Sequence, residues 1–395
     1  MANNQGFFGI INSLDEMWSN TFGTRDAFAK ALPDVEDRGV RGRLERLPTL
    51  EAEGRDDFLT GFRNWRGGTV QRKAKERFDS LARAAGFDPK QEMELAKIHE
   101  IVESDHIIGT EGLLRIIPQR FAHKNFYNSF ADQHERYLAE MQSYDTLGPG
   151  SLELNPDLVI PSYAKHEIHM QPGGYVGNEF AGHLYHYGTN AFYSARARNN
   201  YQDQYHARLG AKVSIPKDKK VARILDVGCG IGQFAVALKE RFPDTEVWGI
   251  DVAAPMLRYG HMRAVDENIA VNFSQRLAEN TGFPDKHFDI VASYIVHHEV
   301  PAEVSRAIFR EAHRILRPGG IYYPIDFYSG GRRGVPGAFS QYQEWKDHRW
   351  NNERWRLEYA SMDFASDMED VGFIVNNEQS PNWSENRNIF GVKSL

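Results

Sequence analysis

The sequence of 395 residues contains one cysteine, Cys229, and no long apolar run. A single thiol excludes an internal disulfide and any zinc site built from cysteines, which fits a reducing compartment. No stretch reaches the roughly 18 apolar residues that span a bilayer. The opening residues, MANNQGFFGIINSLDEMW, also lack the basic start and the apolar core of a signal peptide. We therefore expect a cytoplasmic protein without a membrane partner.

The sequence also lacks a concentration of positive charge. Its 47 basic and 54 acidic residues are interleaved, and the net charge is −7. The one basic cluster, QRKAKER, is interrupted by an acid and has the spacing of the solvated face of a helix. Duplex nucleic acid is therefore not an expected partner. A small molecule or a protein is expected instead.

Helical periodicity dominates the first part of the chain. The segment TVQRKAKERFDSLARAAGFDP places apolar residues three and four positions apart, with Thr69 as the expected N-cap and Gly86 just past the end. Two later segments repeat this pattern. Residues 1–145 are therefore predicted to be a helical N-terminal domain, through which we expect a homodimer to form. Residues 146–200, rich in glycine, proline and aromatics, are predicted to be a lid or connecting segment.

A glycine-rich turn then follows a short apolar segment. RILDV has the length of a strand, and QFAVALKERF after the turn has helical spacing. The pattern Gly228-x-Gly230-x-Gly232 departs from the G-x-G-x-x-G of dinucleotide binders. Asp226 would offer a counter-charge to a cationic ligand, and Asp251, at the end of TEVWGID, suits a ribose diol. Together these features indicate a positively charged nucleoside ligand.

Four segments resemble, in order, the motifs of class I S-adenosylmethionine-dependent methyltransferases: ILDVGCGIGQF, VWGIDVAAPML, LAENTGFPDKHFDIVASYIVHHEV and REAHRILRPGGIYYPID. The resemblance covers about residues 221–326 and extends more loosely to the C-terminus. It implies that residues 201–395 form a doubly wound, Rossmann-like α/β domain with a seven-stranded sheet and an antiparallel last strand. It also implies S-adenosyl-L-methionine as cofactor and a small organic acceptor, oxygen before nitrogen, sulfur or carbon.

The resemblance also implies the cofactor contacts. The three glycines would shape the turn around the methionine moiety, Asp226 would serve its ammonium group, and Asp251 would hold the ribose; the alternative is that both acids are structural. The other implied cofactor-binding residues are Val252, Met256, Ala278, Glu279 and Tyr294. The family commonly offers an acid-alanine pair to the adenine, but Leu277 stands at the position of the acid. Either Glu279 substitutes for it or backbone groups suffice.

A histidine pair follows the predicted fourth strand in SYIVHHEVP. His297 falls where O-methyltransferases resembling the plant phenol enzymes carry a general base, although His298 and Glu299 replace the Asp and Trp of that pattern. We therefore predict His297 as the catalytic residue, with packing against the cofactor or a helix start as the alternative. His298 is expected to face the substrate.

Four histidines lie in HEIHMQPGGYVGNEFAGHLYH, as two His-x-x-His pairs. A metal is not expected, because glycines and a proline separate the pairs and neutral imidazoles alone leave a dication unbalanced. One alternative is a wall of satisfied histidines. The other is a lid that brings Tyr175, His183, His186 and Tyr187 to the acceptor, and these four are predicted as substrate residues.

Three tryptophans, Trp345, Trp350 and Trp355, are spaced five apart in an insertion after the predicted fifth strand. The insertion is expected either to pack against the N-terminal domain or to roof the acceptor pocket. A noncatalytic binder of S-adenosylmethionine, or an enzyme that uses it without transferring methyl, is the alternative function. The glycine spacing disfavours a nicotinamide oxidoreductase.

Overall fold

The structure is a computed structural model of the chain, and it describes residues 40–41, 44–193, 201–326, 337–377 and 389–394. The helices in these residues are α1 (Leu50–Trp65), α2 (Gln71–Ala84), α3 (Leu95–Val102), α4 (His106–Ala131), α5 (His134–Tyr144), α6 (Ala181–Tyr193), α7 (Tyr201–Lys212), α8 (Gln233–Arg241), α9 (Ala254–Asp266), α10 (Ala302–Ile315), α11 (Ala338–Trp350), α12 (Arg356–Ala360) and α13 (Phe364–Asp370). The strands are β1 (Val40–Arg41), β2 (Leu44–Glu45), β3 (Ser151–Glu153), β4 (Arg223–Val227), β5 (Glu246–Asp251), β6 (Asn272–Gln275), β7 (Phe288–Tyr294), β8 (Leu316–Ile325), β9 (Phe373–Asn377) and β10 (Ile389–Lys393).

The main sheet has the strand order β3-β6-β5-β4-β7-β8-β10-β9. Strands β3 to β8 pair in parallel, and β10 runs antiparallel to both of its neighbours. The predicted doubly wound α/β fold with a reversed last strand is therefore confirmed. The sheet has eight strands in the described residues, not seven. The added edge strand, β3, belongs to the connecting segment, and its three residues are too short to show a strand period in the sequence.

Strand β4 lies at the centre of the sheet because it is apolar on both faces. It pairs with β5 on one side and with β7 on the other. Ile224 packs with Phe234 of α8 on one face, and Leu225 packs with Phe309 of α10 on the opposite face. Helices on both faces of a parallel sheet require such a strand. Asp226, next along the strand, is consequently carried into the interior.

Helices α1 and α2 form one continuous helical run, joined by a π-helical turn at Arg66–Val70. The expected N-cap at Thr69 is therefore wrong, since this residue lies inside the turn. The run begins instead at Thr49, whose side-chain oxygen accepts a hydrogen bond from the Ala52 N–H at 3.1 Å. Gly86 follows α2 as predicted, in a left-handed conformation with φ +83°.

The N-terminal helices share two apolar cores with the rest of the chain. One core joins Phe126 of α4 to Leu184 of α6 and Tyr259 of α9. The other joins Phe78 of α2 to Phe339 of α11, so the insertion packs against the N-terminal helices. The predicted domain boundaries at residues 145 and 200 stay predictions, and residues 194–200 are outside the described part of the chain. No described helix has the length and apolar content needed to cross a membrane.

Candidate active site

A cavity of about 460 Å³ lies at the carboxyl ends of β4, β5, β6 and β7. This edge is where doubly wound sheets bind their ligands. The residues that follow the strands line one part, here called the sheet half: Asp226, Gly228, Gly230, Asp251, Val252, Met256, Ala278 and Tyr294. Residues of the helices, the connecting segment and the insertion line the other part, here called the helical half: Arg63, Arg66, Arg115, Gln119, His123, His166, His169, Asp347, Asn351, Glu353 and Arg356. Glu299 lies between the two halves.

The glycine turn after β4 leaves no room for a side chain at Gly228 or at Gly232. Gly228 and Gly232 have φ values of +64° and +74°, which are strained for any residue with a Cβ atom. A Cβ atom on Gly228 would lie 2.6 Å from Val296, and one on Gly232 would lie 2.4 Å from the Phe273 ring. The turn therefore brings backbone, and no side chain, to the cavity wall at Gly228 and Gly230. Gly232 does not itself line the cavity but is the N-cap residue just before α8.

Asp226 places a buried, unpaired carboxyl group at the wall of the sheet half. The residue is 0% exposed, and neither carboxyl oxygen has a hydrogen-bond partner of normal geometry in the described structure. Burial raises the pKa of Asp226 well above its ordinary value, and the nearby Asp251 adds to the rise, while the Ala235 N–H opposes it. A ligand with a cationic group would remove this electrostatic imbalance.

Asp251 ends β5 and is fixed by two backbone groups. Its Oδ2 atom accepts a hydrogen bond from the Gly230 N–H, and its Oδ1 atom accepts one from the Ala253 N–H, both at 2.9 Å. Burial raises the pKa of this carboxyl, and these N–H donors act against the rise. Each oxygen keeps a lone pair that a ligand hydroxyl could use. Val252 and Met256 line the same wall.

The connecting segment reaches the sheet half through Tyr163. Its hydroxyl donates to Glu279 Oε1 at 2.7 Å, and burial together with this carboxylate raises the pKa of Tyr163. The second oxygen, Oε2 of Glu279, is buried without a partner among the residues described. Glu279 thus lies beside the cavity-lining Ala278 and could still serve an adenine amino group. Tyr163 could not be predicted from the sequence, because it lies in a segment without periodicity.

His297, predicted as the catalytic residue, is fully buried and does not line the cavity in the described structure. Its Nδ1 lies 2.7 Å from the Ser305 hydroxyl and its Nε2 lies 2.6 Å from the Tyr322 hydroxyl. Burial lowers the pKa of His297 to about 4. Both ring nitrogens are therefore engaged within the protein. A general-base role for His297 has no support in this geometry and stays a prediction. The ring packs in the protein core against Phe309 and Phe364, and His297 begins a short 3-10 turn, which is compatible with the helix-start alternative.

His298 and Glu299 belong to a buried chain of charges. His298 Nδ1 lies 2.6 Å from Asp326 Oδ1, and its Nε2 lies 3.3 Å from Glu299 Oε1. Burial disfavours the His298 cation, but Asp326 and Glu299 outweigh this effect and raise its pKa to about 10. His169 Nε2 lies 3.4 Å from the same Glu299 oxygen. His298 is thus behind the wall, 1% exposed, while Glu299 reaches the cavity.

Helix α6 carries the second His-x-x-His pair away from the cavity. The residues of α6 that line the cavity are Leu184, Tyr185, Gly188 and Thr189. The predicted substrate residues His183, His186 and Tyr187 lie on its opposite face, and the His186 Nδ1 is 2.8 Å from the Tyr259 hydroxyl of α9. Of the four substrate residues predicted in this stretch, Tyr175 alone lines the cavity.

The first pair, His166 and His169, does line the cavity. His169 has a left-handed backbone with φ +52°, and its carbonyl accepts hydrogen bonds from Gln119 Nε2 at 2.7 Å and from His123 Nε2 at 3.1 Å. The sequence showed the pair but could not show which pair would face inward, since this segment has no helical period. Within the described ranges, no three His, Cys, Asp or Glu side chains form a cluster suited to a metal ion.

Ion pairs hold the wall of the helical half together. Glu111 of α4 is 0% exposed and pairs with Arg66 at 2.8 Å and with Lys346 of α11. Burial lowers the pKa of both cations. Arg115 likewise pairs with Asp347. The insertion therefore both packs against the N-terminal helices and lines the cavity.

Residues 224–320 match the family model of a methyltransferase domain. A demethylmenaquinone methyltransferase of Thermus thermophilus is 36% identical over 115 residues, which are 29% of this chain and 51% of that protein. This stretch is a class I S-adenosylmethionine-dependent methyltransferase domain. The chain spans about half the length of that relative. S-adenosylmethionine is the cofactor of the domain, and the unpaired Asp226 carboxyl fits its cationic character.

Two further proteins are similar to parts of this chain. Phosphoethanolamine N-methyltransferase 1 of Arabidopsis thaliana is 32% identical over 153 residues, covering 38% of this chain and 28% of that protein. An O-methyltransferase family protein from Burkholderia thailandensis has a solved structure with 17% identity and a TM-score of 0.40. That similarity covers 53% of this chain and 60% of the other.

Proposed function

We propose that the chain transfers a methyl group from S-adenosylmethionine to a small organic acceptor, oxygen before nitrogen, sulfur or carbon, leaving S-adenosylhomocysteine. One observation carries the proposal: a single cavity joins the unpaired Asp226 carboxyl to a compartment walled by the helical half. Methyl transfer requires that donor and acceptor be held together and that water be kept away. A cavity with two chemically different halves can hold donor and acceptor side by side, which supports the first requirement.

In this proposal the sheet half holds the cofactor. Asp226 balances the ammonium group, Asp251 accepts hydrogen bonds from the ribose hydroxyls, and the backbone of Gly228 and Gly230 follows the methionine moiety. When bound, the cofactor supplies an electrophilic methyl group on a sulfonium. The adenine lies towards Ala278, beside the Glu279 carboxylate that Tyr163 fixes.

The choice of oxygen is supported by neutral imidazoles at the cavity. Burial lowers the pKa of His123 to about 4 and also lowers that of His166, so both rings are neutral near pH 7. An oxygen acceptor must lose its proton on methylation, and a neutral imidazole can take it. The names of the relatives do not decide the acceptor, since one names demethylmenaquinone and another names phosphoethanolamine. The homodimer, the cytoplasmic location and the lack of a nucleic-acid partner stay predictions.

Two measurements test the proposed function. Calorimetry should show binding of S-adenosylmethionine and S-adenosylhomocysteine, and no comparable binding of NAD. Incubation with S-adenosylmethionine labelled on its methyl carbon and a small-metabolite extract should then yield a labelled organic product. Tight NAD binding without a response to the sulfonium would refute the proposal. Binding of the sulfonium without any labelled product would instead favour a noncatalytic protein.

A further inference from the structure

His166 presents an unpaired nitrogen next to the cavity. Its Nδ1 lies 3.0 Å from the Tyr163 carbonyl oxygen, and a carbonyl only accepts hydrogen bonds, so Nδ1 carries the ring proton. Nε2 is then a bare lone pair. This atom is shielded from solvent and has no hydrogen-bond partner in the described part of the chain. A buried acceptor without a donor is unusual in a folded protein and points to a missing ligand group.

The other cavity histidines are unsuited to accept a proton at this position. His169 lies between Glu299 and Glu353, and although burial disfavours its cation, these carboxylates raise its pKa and occupy the surroundings of its ring nitrogens. His123 donates from Nε2 to the His169 carbonyl, and burial together with the nearby His169 and Arg63 lowers its pKa to about 4, which makes it a weak base. His206 donates from Nδ1 to the Gln202 carbonyl and packs against Tyr294, in the sheet half that the proposal gives to the cofactor. Among these rings, His166 combines a bare lone pair with a carboxylate that would stabilise its cation.

Glu299 supplies a compensating charge for His166. Burial lowers the pKa of His166, the Glu299 carboxylate raises it, and the cations of Arg354 and His169 lower it again. The pKa of Glu299 itself is held well below its ordinary value, against the effect of burial, by His298 and His169. Glu299 therefore stays ionised. Its Oε2 atom, like Nε2 of His166, is buried and lacks a partner among the described residues.

We propose that His166 is the general base of the methyl transfer and takes the proton of a hydroxyl acceptor. This inference rests on the proposed function. The acceptor O–H bond breaks and its proton goes to Nε2, the oxygen forms a bond to the methyl carbon, and the electron pair of the broken C–S bond stays on sulfur. The imidazolium formed on His166 is stabilised by Glu299, and it loses its proton to solvent when the product leaves.

The decisive variant is His166→Asn. The asparagine amide can still donate to the Tyr163 carbonyl in place of Nδ1, but it offers no base at the position of Nε2. We expect turnover to fall by about 100-fold or more, with the affinity for S-adenosylmethionine unchanged. His134→Asn is the matched control, because His134 is a surface histidine of α5 that pairs with Glu179 outside the cavity. It should keep wild-type turnover.

Glu299 acts through His166 and is a positioning residue. The variant Glu299→Gln is therefore tested by the pH dependence of its turnover. Wild-type turnover should fall as the pH drops through the pKa of His166, which lies below the ordinary value of about 6.5. Glu299→Gln removes the charge that raises this pKa, and its acid limb should therefore move to lower pH. If Glu299 were merely structural, Glu299→Gln would lower turnover at every pH, and the acid limb of the pH profile would stay at the same pH.

An independent measurement needs neither acceptor nor turnover. Nuclear magnetic resonance of protein labelled with ¹⁵N in histidine reports the tautomer and the pKa of each ring. The His166 resonances, assigned by their loss in His166→Asn, should show the Nδ1–H tautomer and titration below pH 6.5. A proton on Nε2, or a pKa above 6.5, would contradict the proposal even in protein that binds S-adenosylmethionine normally.

The labelled product separates failure of this inference from failure of the proposed function. An O-methyl product that His166→Asn forms at least about 100-fold more slowly supports His166 as the base. An O-methyl product formed at the wild-type rate by the variant removes that role. A product methylated on nitrogen, sulfur or carbon also refutes the inference, while methyl transfer itself stands. Absence of any labelled product refutes both.

Discussion

The two halves of the cavity are built in different ways. The sheet half comes mainly from one short stretch, residues 226–256, in which the turn after β4 is hydrogen-bonded to the end of β5. The helical half collects residues from Arg63 to Arg356, brought together by ion pairs between distant helices. Local backbone geometry therefore determines the first half, whereas tertiary packing determines the second.

The halves also differ in how their charges are balanced. The sheet half keeps one acid, Asp226, without a partner in the described structure. In the helical half the charges pair within the wall, as Glu111 does with Arg66 and Lys346. We infer that the sheet half is completed by a cation, while the helical half is rigid before any ligand binds.

Asp226→Asn should have the largest effect on ligand binding. It removes the negative charge but keeps the shape, so we expect S-adenosylmethionine binding to weaken by roughly 2–5 kcal/mol. The cofactor-free protein should gain stability at neutral pH, because the raised pKa of Asp226 means that folding opposes its ionisation. Calorimetry measures the affinity, and thermal unfolding without ligand measures the stability.

The matched control is Asp244→Asn, since Asp244 is an exposed acid remote from the cavity. It should change neither quantity. If Asp226→Asn binds the cofactor as tightly as the wild type, the unpaired acid does not serve the ammonium group. The contrast between an unpaired acid in the sheet half and paired charges in the helical half would then be lost.

Glu111→Gln should disrupt the helical half and spare the sheet half. The change leaves Arg66 and Lys346 buried close together without their shared counter-charge, which costs roughly 3 kcal/mol of folding stability. Urea unfolding measures this loss, and calorimetry should show that the folded variant binds S-adenosylmethionine normally. Glu76→Gln, on the exposed face of α2, should stay within about 0.5 kcal/mol of the wild type. A similarly small effect for Glu111→Gln would show that the wall does not depend on this ion pair.

Two glycines separate the effect of backbone strain from that of steric conflict. Gly232 and Gly86 both have left-handed backbones, but a Cβ atom meets the Phe273 ring at Gly232 and meets nothing within 4 Å at Gly86. Gly86→Ala should therefore cost about 1 kcal/mol from the backbone alone. Gly232→Ala should cost roughly 2 kcal/mol more, because the ring must move. Urea unfolding of both variants gives the difference, and equal costs would mean that the turn adapts freely.

The sequence indicated where the sheet half lies, although not every residue that lines it. The strand RILDV has the predicted bounds, and Asp226, Gly228 and Asp251 lie at the cavity because a strand, a turn and a helix are fixed by neighbouring residues. The sequence did not show that His297 lies away from the cavity. A strand end shows where a histidine lies, but not that Ser305 and Tyr322, distant in sequence, engage both of its nitrogens.

Most residues of the helical half could not be predicted from the sequence, for a related reason. The segment carrying His166 and Tyr163 has no period of 2 or 3.6 residues, so nothing in it indicates which side chains point inward. The sequence of α6 has a helical period, but it does not show which face of the helix points to the cavity. The residues predicted to face the substrate, His183 and His186, lie on the face that packs against α9, and this phase is fixed by contacts with other helices.

His183→Phe tests the contact between α6 and α9, on which the helical wall rests. Burial among aromatic rings lowers the pKa of His183 to about 3, so the unfolded chain binds its proton first as the pH falls below 6.5. Wild-type stability should therefore decrease from pH 8 to pH 5.5, by about 1.4 kcal/mol from this residue alone. Phenylalanine fits among Phe130, Phe180 and Tyr259 and cannot ionise, so urea unfolding should show a loss smaller by that amount. If His183→Phe loses as much stability between pH 8 and pH 5.5 as the wild type does, His183 reaches water and α6 is not packed as tightly as the sheet half.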